Sequence, residues 1–146
     1  MHRGISMIAI NATKVRNEWS SISESVIRDK PALIKKTRDF MFLSDIKTME
    51  QILSTYRFTA DEYIEDDGSV TLSLNEIDII ENGKNRQDAL EKLSNAILDY
   101  SIDFYNEFSY WARGSRRLHI PFIFKALFIN DTSKIGDLIL CRRGKN

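Results

Sequence analysis

"INATKVRNEWSSISESVIRDKPALIKKT", residues Ile10 to Thr37, decides how the chain begins to fold. Val15, Trp19, Ile22 and Val26 recur at spacings of four, three and four, which is one apolar stripe of a helix. Asn11 stands just before it, and its side chain can accept from the free amides of a first helical turn. Met7 to Ile10 reads as a short strand leading in. Pro31 biases Lys30 away from helical backbone, so the helix should end near Asp29. Beyond it, "ALIKKT" and "FMFL" are two β-prone runs separated by Thr37-Arg38-Asp39, the pattern of a hairpin. Ser44 can cap a further helix whose stripe is Ile46, Met49, Leu53 and Tyr56. Residues 1–57 therefore read β-α-β-β-α.

The rest of the chain has a different texture. Asp67-Gly68 is a hairpin turn signal, and Val70, Leu72 and Leu74 alternate with polar residues as a half-buried strand does. "EIDIIENG" extends that strand or forms a third. From Asn85 to Trp111 the residues Leu90, Leu93, Ile97, Tyr100, Phe104, Phe108 and Trp111 keep helical spacing, with Asn85 as cap and Asp88 in the first turn. The outer face of this long helix carries Asp99, Asp103 and Glu107. "ARGSRRLH" is a basic break, and Pro121 suits the start of a helix through "PFIFKALFI". "SKIGDLILC" reads as a last helix or strand, and "RRGKN" as a mobile basic tail. The expected fold class is α+β. Residues 1–57 form one domain, and residues 58–146 form a second with a β-hairpin, a long amphipathic helix and short C-terminal helices.

Charge is uneven although the chain is neutral overall. Residues 1–57 hold ten Lys/Arg against six Asp/Glu, residues 58–107 three against thirteen, and residues 108–146 eight against two. A basic block, an acidic block and a second basic block suggest contact with a polyanion at one end. Hydrophobic residues make up 42% and charged residues 29%, enough for packed cores. The single cysteine, Cys141, can form no internal disulfide, which favours a reducing compartment. The apolar run after Arg3 is too short for a signal segment, and nothing approaches the roughly twenty apolar residues of a membrane span. The expectation is a soluble, cytoplasmic protein.

Catalytic patterns are missing. His2, His119 and Cys141 make no pair at metal-binding spacing, and there is neither a glycine-rich phosphate loop nor a G-x-S-x-G turn. The acidic residues sit at solvent-facing positions of strands and a helix. No enzyme activity, cofactor or metal is expected.

The polar face of the first helix points elsewhere. Lys14 and Arg16 put cations near its start, and Asn11, Thr13 and Asn17 add short donors that reach phosphates or base edges. Arg can fork onto guanine and Asn onto adenine. The residues alone leave open an ordinary wet helix face in a non-catalytic protein-interaction module that binds no DNA.

The stretch from Ile10 to Leu53 resembles the prevent-host-death (Phd/YefM) antitoxin family. The likeness lies in a strand, a helix opening Asn11-Ala12-Thr13-Lys14-Val15-Arg16, a serine-rich "SSISESV", a strand ending Ile34-Lys35-Lys36, and Phe42-Leu43-Ser44-Asp45 before a second helix. It covers about residues 7–55. It implies a homodimer whose sheets and first helices pair, and a first helix aimed at operator DNA. Arg16 matches the family's helix arginine and Lys36 the basic residue ending the second strand. The family often has glycine in the following turn, where this chain has Thr37-Arg38-Asp39. The implied DNA-binding set is Asn11, Thr13, Lys14, Arg16, Asn17, Lys35, Lys36 and Arg38.

"IDIIENGKNRQDALEKLSNAILDY" resembles the strand-to-helix segment of HicB-type antitoxins. That implies a fused module that neutralises a toxin of the ribonuclease kind. Aromatics and arginine dominate interface energetics, which makes Tyr105, Tyr110, Trp111, Arg113, Phe122 and Phe124 the candidate toxin contacts. The reading as a whole is an antitoxin of a bacterial type II toxin–antitoxin system that represses its own operon. Its acidic block would cover a basic cleft on the toxin.

Overall fold

The computed structural model describes residues 8–145. Met7, the first residue of the expected strand, lies outside the described residues, as do His2 and Arg3, and the strand itself is shorter than expected, since Ile8 and Ala9 stand outside it. The chain divides into two compact units between Ile52 and Leu53.

In the N-terminal unit, β1 (Ile10–Asn11) leads through α1 (Ala12–Asn17) and α2 (Trp19–Arg28) to β2 (Ala32–Lys36), β3 (Asp39–Leu43) and α3 (Ile46–Ile52). The strand order is β1-β2-β3. β1 runs parallel to β2, with Ile10 opposite Ile34 and Asn11 opposite Lys35. β2 and β3 are antiparallel. Val15, Ile22, Val26, Ala32 and Ile34 form the buried core.

The expected single helix is two. Glu18, at φ −120° and ψ 32°, interrupts it. The break turns Trp19 out of the stripe, and it stands 53% exposed while Val15, Ile22 and Val26 are buried. β2 and β3 are joined by only Thr37 and Arg38, and Thr37 takes the left-handed backbone that the missing glycine would have accepted, at φ 58°. A β-branched residue is strained there. Thr37→Asn is therefore expected to stabilise the protein by about 0.5–1 kcal/mol, read from its urea midpoint.

The C-terminal unit opens with Leu53, which is buried, and Tyr56, whose ring meets that of Phe122 edge-on at 5.5 Å. The helical stripe predicts both as a continuation of α3, which instead ends at Ile52. The Lys125 ammonium donates to the carbonyls of Leu53 and Tyr56 at 3.4 and 2.5 Å, and burial lowers its pKa. β4 (Phe58–Ile64), β5 (Val70–Leu74) and β6 (Ile80–Gly83) follow as a meander, with Gly68 at φ 85° in the first turn.

α4 (Arg86–Asn106) lies against the sheet and buries Ala89, Leu93, Ile97 and Phe104. Its start is a reciprocal cap: Asn85 accepts from the Asp88 amide, and the Asp88 carboxylate accepts from the Lys84 amide. The buried hydroxyls of Ser94 and Ser101 bond back to the carbonyls of Leu90 and Ile97. At Gly83, a Cβ would stand 2.2 Å from the Ala89 backbone nitrogen, so only hydrogen fits between β6 and α4.

The expected long helix stops at Asn106. Glu107 breaks it, and α5 (Phe108–Trp111) carries the last two apolar positions. A 3-10 turn (Gly114–His119), α6 (Ile120–Ile129) and α7 (Thr132–Leu138) lead into β7 (Ile139–Arg143). β7 pairs parallel with β4, giving the strand order β6-β5-β4-β7. This corrects the reading of a hairpin followed by a mobile tail. Arg142 and Arg143 lie in a strand, the Gly144 amide donates to the Glu62 carbonyl, and Arg142 pairs with Asp61 at 3.1 Å.

Candidate functional site

The parallel pairing of β1 with β2 sets Asn11 beside Lys35. It thereby brings the start of α1 to the basic end of the hairpin. A groove of about 720 Å³ results, lined by Asn11, Thr13, Arg16, Trp19, Lys35, Lys36, Thr37 and Met41 over a floor of Ala12, Val15 and Ile34. Five of the eight residues expected from the sequence to contact DNA thus share one groove. Lys14, Asn17 and Arg38 are exposed but do not line it.

Several details shape what this groove offers. Asn11 Oδ1 accepts from the Thr13 amide at 2.8 Å, so its amide nitrogen is the group left to donate outward. α1 is only six residues long, so its dipole is weak and side-chain charge dominates. Lys35 lies 5.7 Å above the Phe40 ring. Sequence reading misses Trp19 and Met41 as groove residues. It places the indole in the core, and no residue near Glu18 signals the break.

β3 has an unusual surface. Phe40, Met41 and Phe42 are 57%, 49% and 48% exposed on a strand at the sheet's edge.

The candidate toxin contacts cluster only in part. Tyr105 meets Phe124 edge-on at 6.2 Å, and Phe108 lies 6.1 Å from the same ring. Tyr110 meets Trp111 at 5.3 Å, and the Arg116 guanidinium covers both rings at 5.4 and 5.0 Å. Arg113 is exposed, and its Nε donates to the Ser109 carbonyl. Tyr105 and Tyr110 are more than half exposed. Phe122 faces inward against Phe58 and Tyr56 and serves the core. Asp99, Asp103 and Glu107 are exposed, as their helical positions require.

Beside this cluster Tyr100 Oη and His119 Nδ1 lie 2.9 Å apart. Burial holds the His119 imidazole below its ordinary pKa, with Asp78 opposing and Arg116 adding to the shift. The folded state therefore binds a proton less readily than the unfolded chain. Stability from this group is complete above about pH 6.5 and falls as pH drops through that value toward the lower folded pKa. His119→Gln should flatten that part of the profile when urea midpoints are compared across it. A wild-type-to-variant difference that stayed constant with pH would contradict this.

Among the described residues no group of three or more His, Cys, Asp or Glu side chains could hold a metal ion. Nor is any described helix long and apolar enough to cross a membrane.

None of the curated proteins matches this chain. A crystal structure described as the antitoxin part of a candidate toxin/antitoxin system from Syntrophomonas wolfei subsp. wolfei is similar to it. The TM-score is 0.89 at 27% identity, over 94% of this chain and 100% of that one. A family model described as PHD-like, "Antitoxin of toxin-antitoxin, RelE / RelB, TA system", matches residues 7–141. With most of both units inside that match, the chain belongs to this family and is the antitoxin of a toxin–antitoxin system.

Proposed function

We propose that this antitoxin is of the Phd/YefM type and works in the cytoplasm as a homodimer, repressing its own operon by binding operator DNA through the N-terminal groove. The observation that carries this reading is the convergence of Arg16, Lys35 and Lys36 on one groove from segments about twenty residues apart in sequence. Lysine and arginine gain affinity for a duplex by displacing its counterions. Arg16 and the Asn11 amide add the donors that read base edges. The apolar edge strand β3 offers a second copy both main-chain hydrogen bonds and the exposed rings of Phe40 and Phe42. A two-fold dimer would set its two grooves about one helical turn, or a multiple of it, apart on the duplex. The test is affinity for the DNA immediately upstream of the reading frame against a scrambled duplex. Tighter binding to the upstream duplex supports the reading, and equal affinity overturns it.

The C-terminal unit, on this reading, holds the toxin. Tyr105, Tyr110, Trp111, Arg113 and Phe124 supply the aromatic and cationic anchors. Asp99, Asp103 and Glu107 match the basic cleft of a ribonuclease. Tyr110→Ala combined with Arg113→Ala is expected to weaken toxin binding by about 2 kcal/mol, measured by calorimetry with the toxin encoded beside it. Unchanged affinity would move the contact surface elsewhere.

A further inference from the structure

Trp19 sits where the helical stripe predicts a core residue and does not behave as one. It is 53% exposed and lines the groove with Arg16, Lys35 and Lys36, above the apolar floor of Val15 and Ile34. An indole in that place presents a flat apolar face and one N–H donor among cations. Two occupants fit an exposed apolar ring: a second copy of this chain, or a ligand with both apolar and anionic parts. In a two-fold interface the same patch meets itself. The cations around Trp19 would then oppose their own copies, at a cost. A duplex backbone alternates deoxyribose with phosphate and suits an apolar floor with a cationic rim.

We propose that Trp19 is a duplex-contacting residue. Its indole lies against deoxyribose in the strand held by Arg16 and Lys36, and its Nε1–H donates to a phosphate oxygen. This rests on the DNA-binding reading of the groove and adds to it an uncharged contact.

An uncharged contact has its own signature. Losing a cation lowers both affinity and the dependence of affinity on salt, because fewer counterions are released. Losing Trp19 lowers affinity alone. The experiment titrates the full-length protein against a labelled duplex from upstream of its reading frame at several salt concentrations. Dimer mass is measured by sedimentation in parallel. Trp19→Ala is expected to bind about tenfold more weakly, with the salt slope and the dimer mass unchanged. Trp19→Phe, which keeps a ring but no donor, should lose about threefold. It decides the matter if the alanine variant fails to fold. Wild-type affinity in the folded variant overturns the proposal, and so does a loss that tracks dissociation of the dimer. If Arg16→Ala and Lys36→Ala bind weakly while Trp19→Ala does not, only the Trp19 contact falls. If all three bind as wild type, the DNA reading of the groove falls with it.

Discussion

Phe104→Ala is expected to lower the free energy of unfolding by about 3–5 kcal/mol. The side chain is fully buried on α4. Its ring meets those of Tyr100, Phe108 and Trp111 at 5.8, 5.7 and 6.5 Å. Truncation removes the transfer energy of the ring and leaves a cavity. The neighbours can close it poorly, because each is tied elsewhere: Tyr100 to His119, and Trp111 under Arg116. The same ring supports the short α5 and, through Phe108, the Phe124 contact. Loosening it should therefore weaken toxin binding as well as stability. Urea unfolding measures the first effect. A loss below about 1 kcal/mol would mean that the aromatic cluster is not the tight pack its geometry describes.

Arg16→Ala combined with Lys36→Ala is expected to reduce affinity for the upstream duplex by about a hundredfold or more. The proposed dimer presents each residue twice, so on that reading each substitution removes two contacts from one duplex. A good base or phosphate contact from such residues is worth on the order of 1–3 kcal/mol. Removing one phosphate-bound cation also lowers the salt slope by about 0.9. Arg16 and Lys36 are exposed, and the core of their unit is Val15, Ile22, Val26, Ala32 and Ile34. Both variants should therefore fold. Anisotropy titrations at several salt concentrations read both effects together.

Local chemistry makes much of this fold legible. The helical spacing of Val15, Ile22 and Val26, the Asp67-Gly68 turn and the Asn85–Asp88 cap are signals carried within a few residues, and each stands where its chemistry puts it. Trp19 is misplaced by periodicity, which continues across Glu18, a residue that does not break helices by its nature. The end of α4 is hidden in the same way, since Phe108 and Trp111 keep helical spacing beyond the break at Glu107. β7 gives no local sign of its partner. Its ladder to β4 joins residues about eighty apart, and Arg142-Arg143 has the composition of a tail. The groove lies between these cases. Its cations are visible in the sequence, but their meeting depends on the parallel register of Asn11 with Lys35. No local signal in the sequence gives that pairing.

Two surfaces, on the proposed reading, perform two separable tasks. One strain can test it, carrying the toxin under inducible control and a reporter behind the upstream DNA. The antitoxin with Arg16→Ala and Lys36→Ala should rescue growth yet fail to silence the reporter. The antitoxin with Tyr110→Ala and Arg113→Ala should silence the reporter yet fail to rescue growth. If the groove variant lost neutralisation, or the aromatic variant lost repression with its fold intact, the assignment of tasks to surfaces would be contradicted.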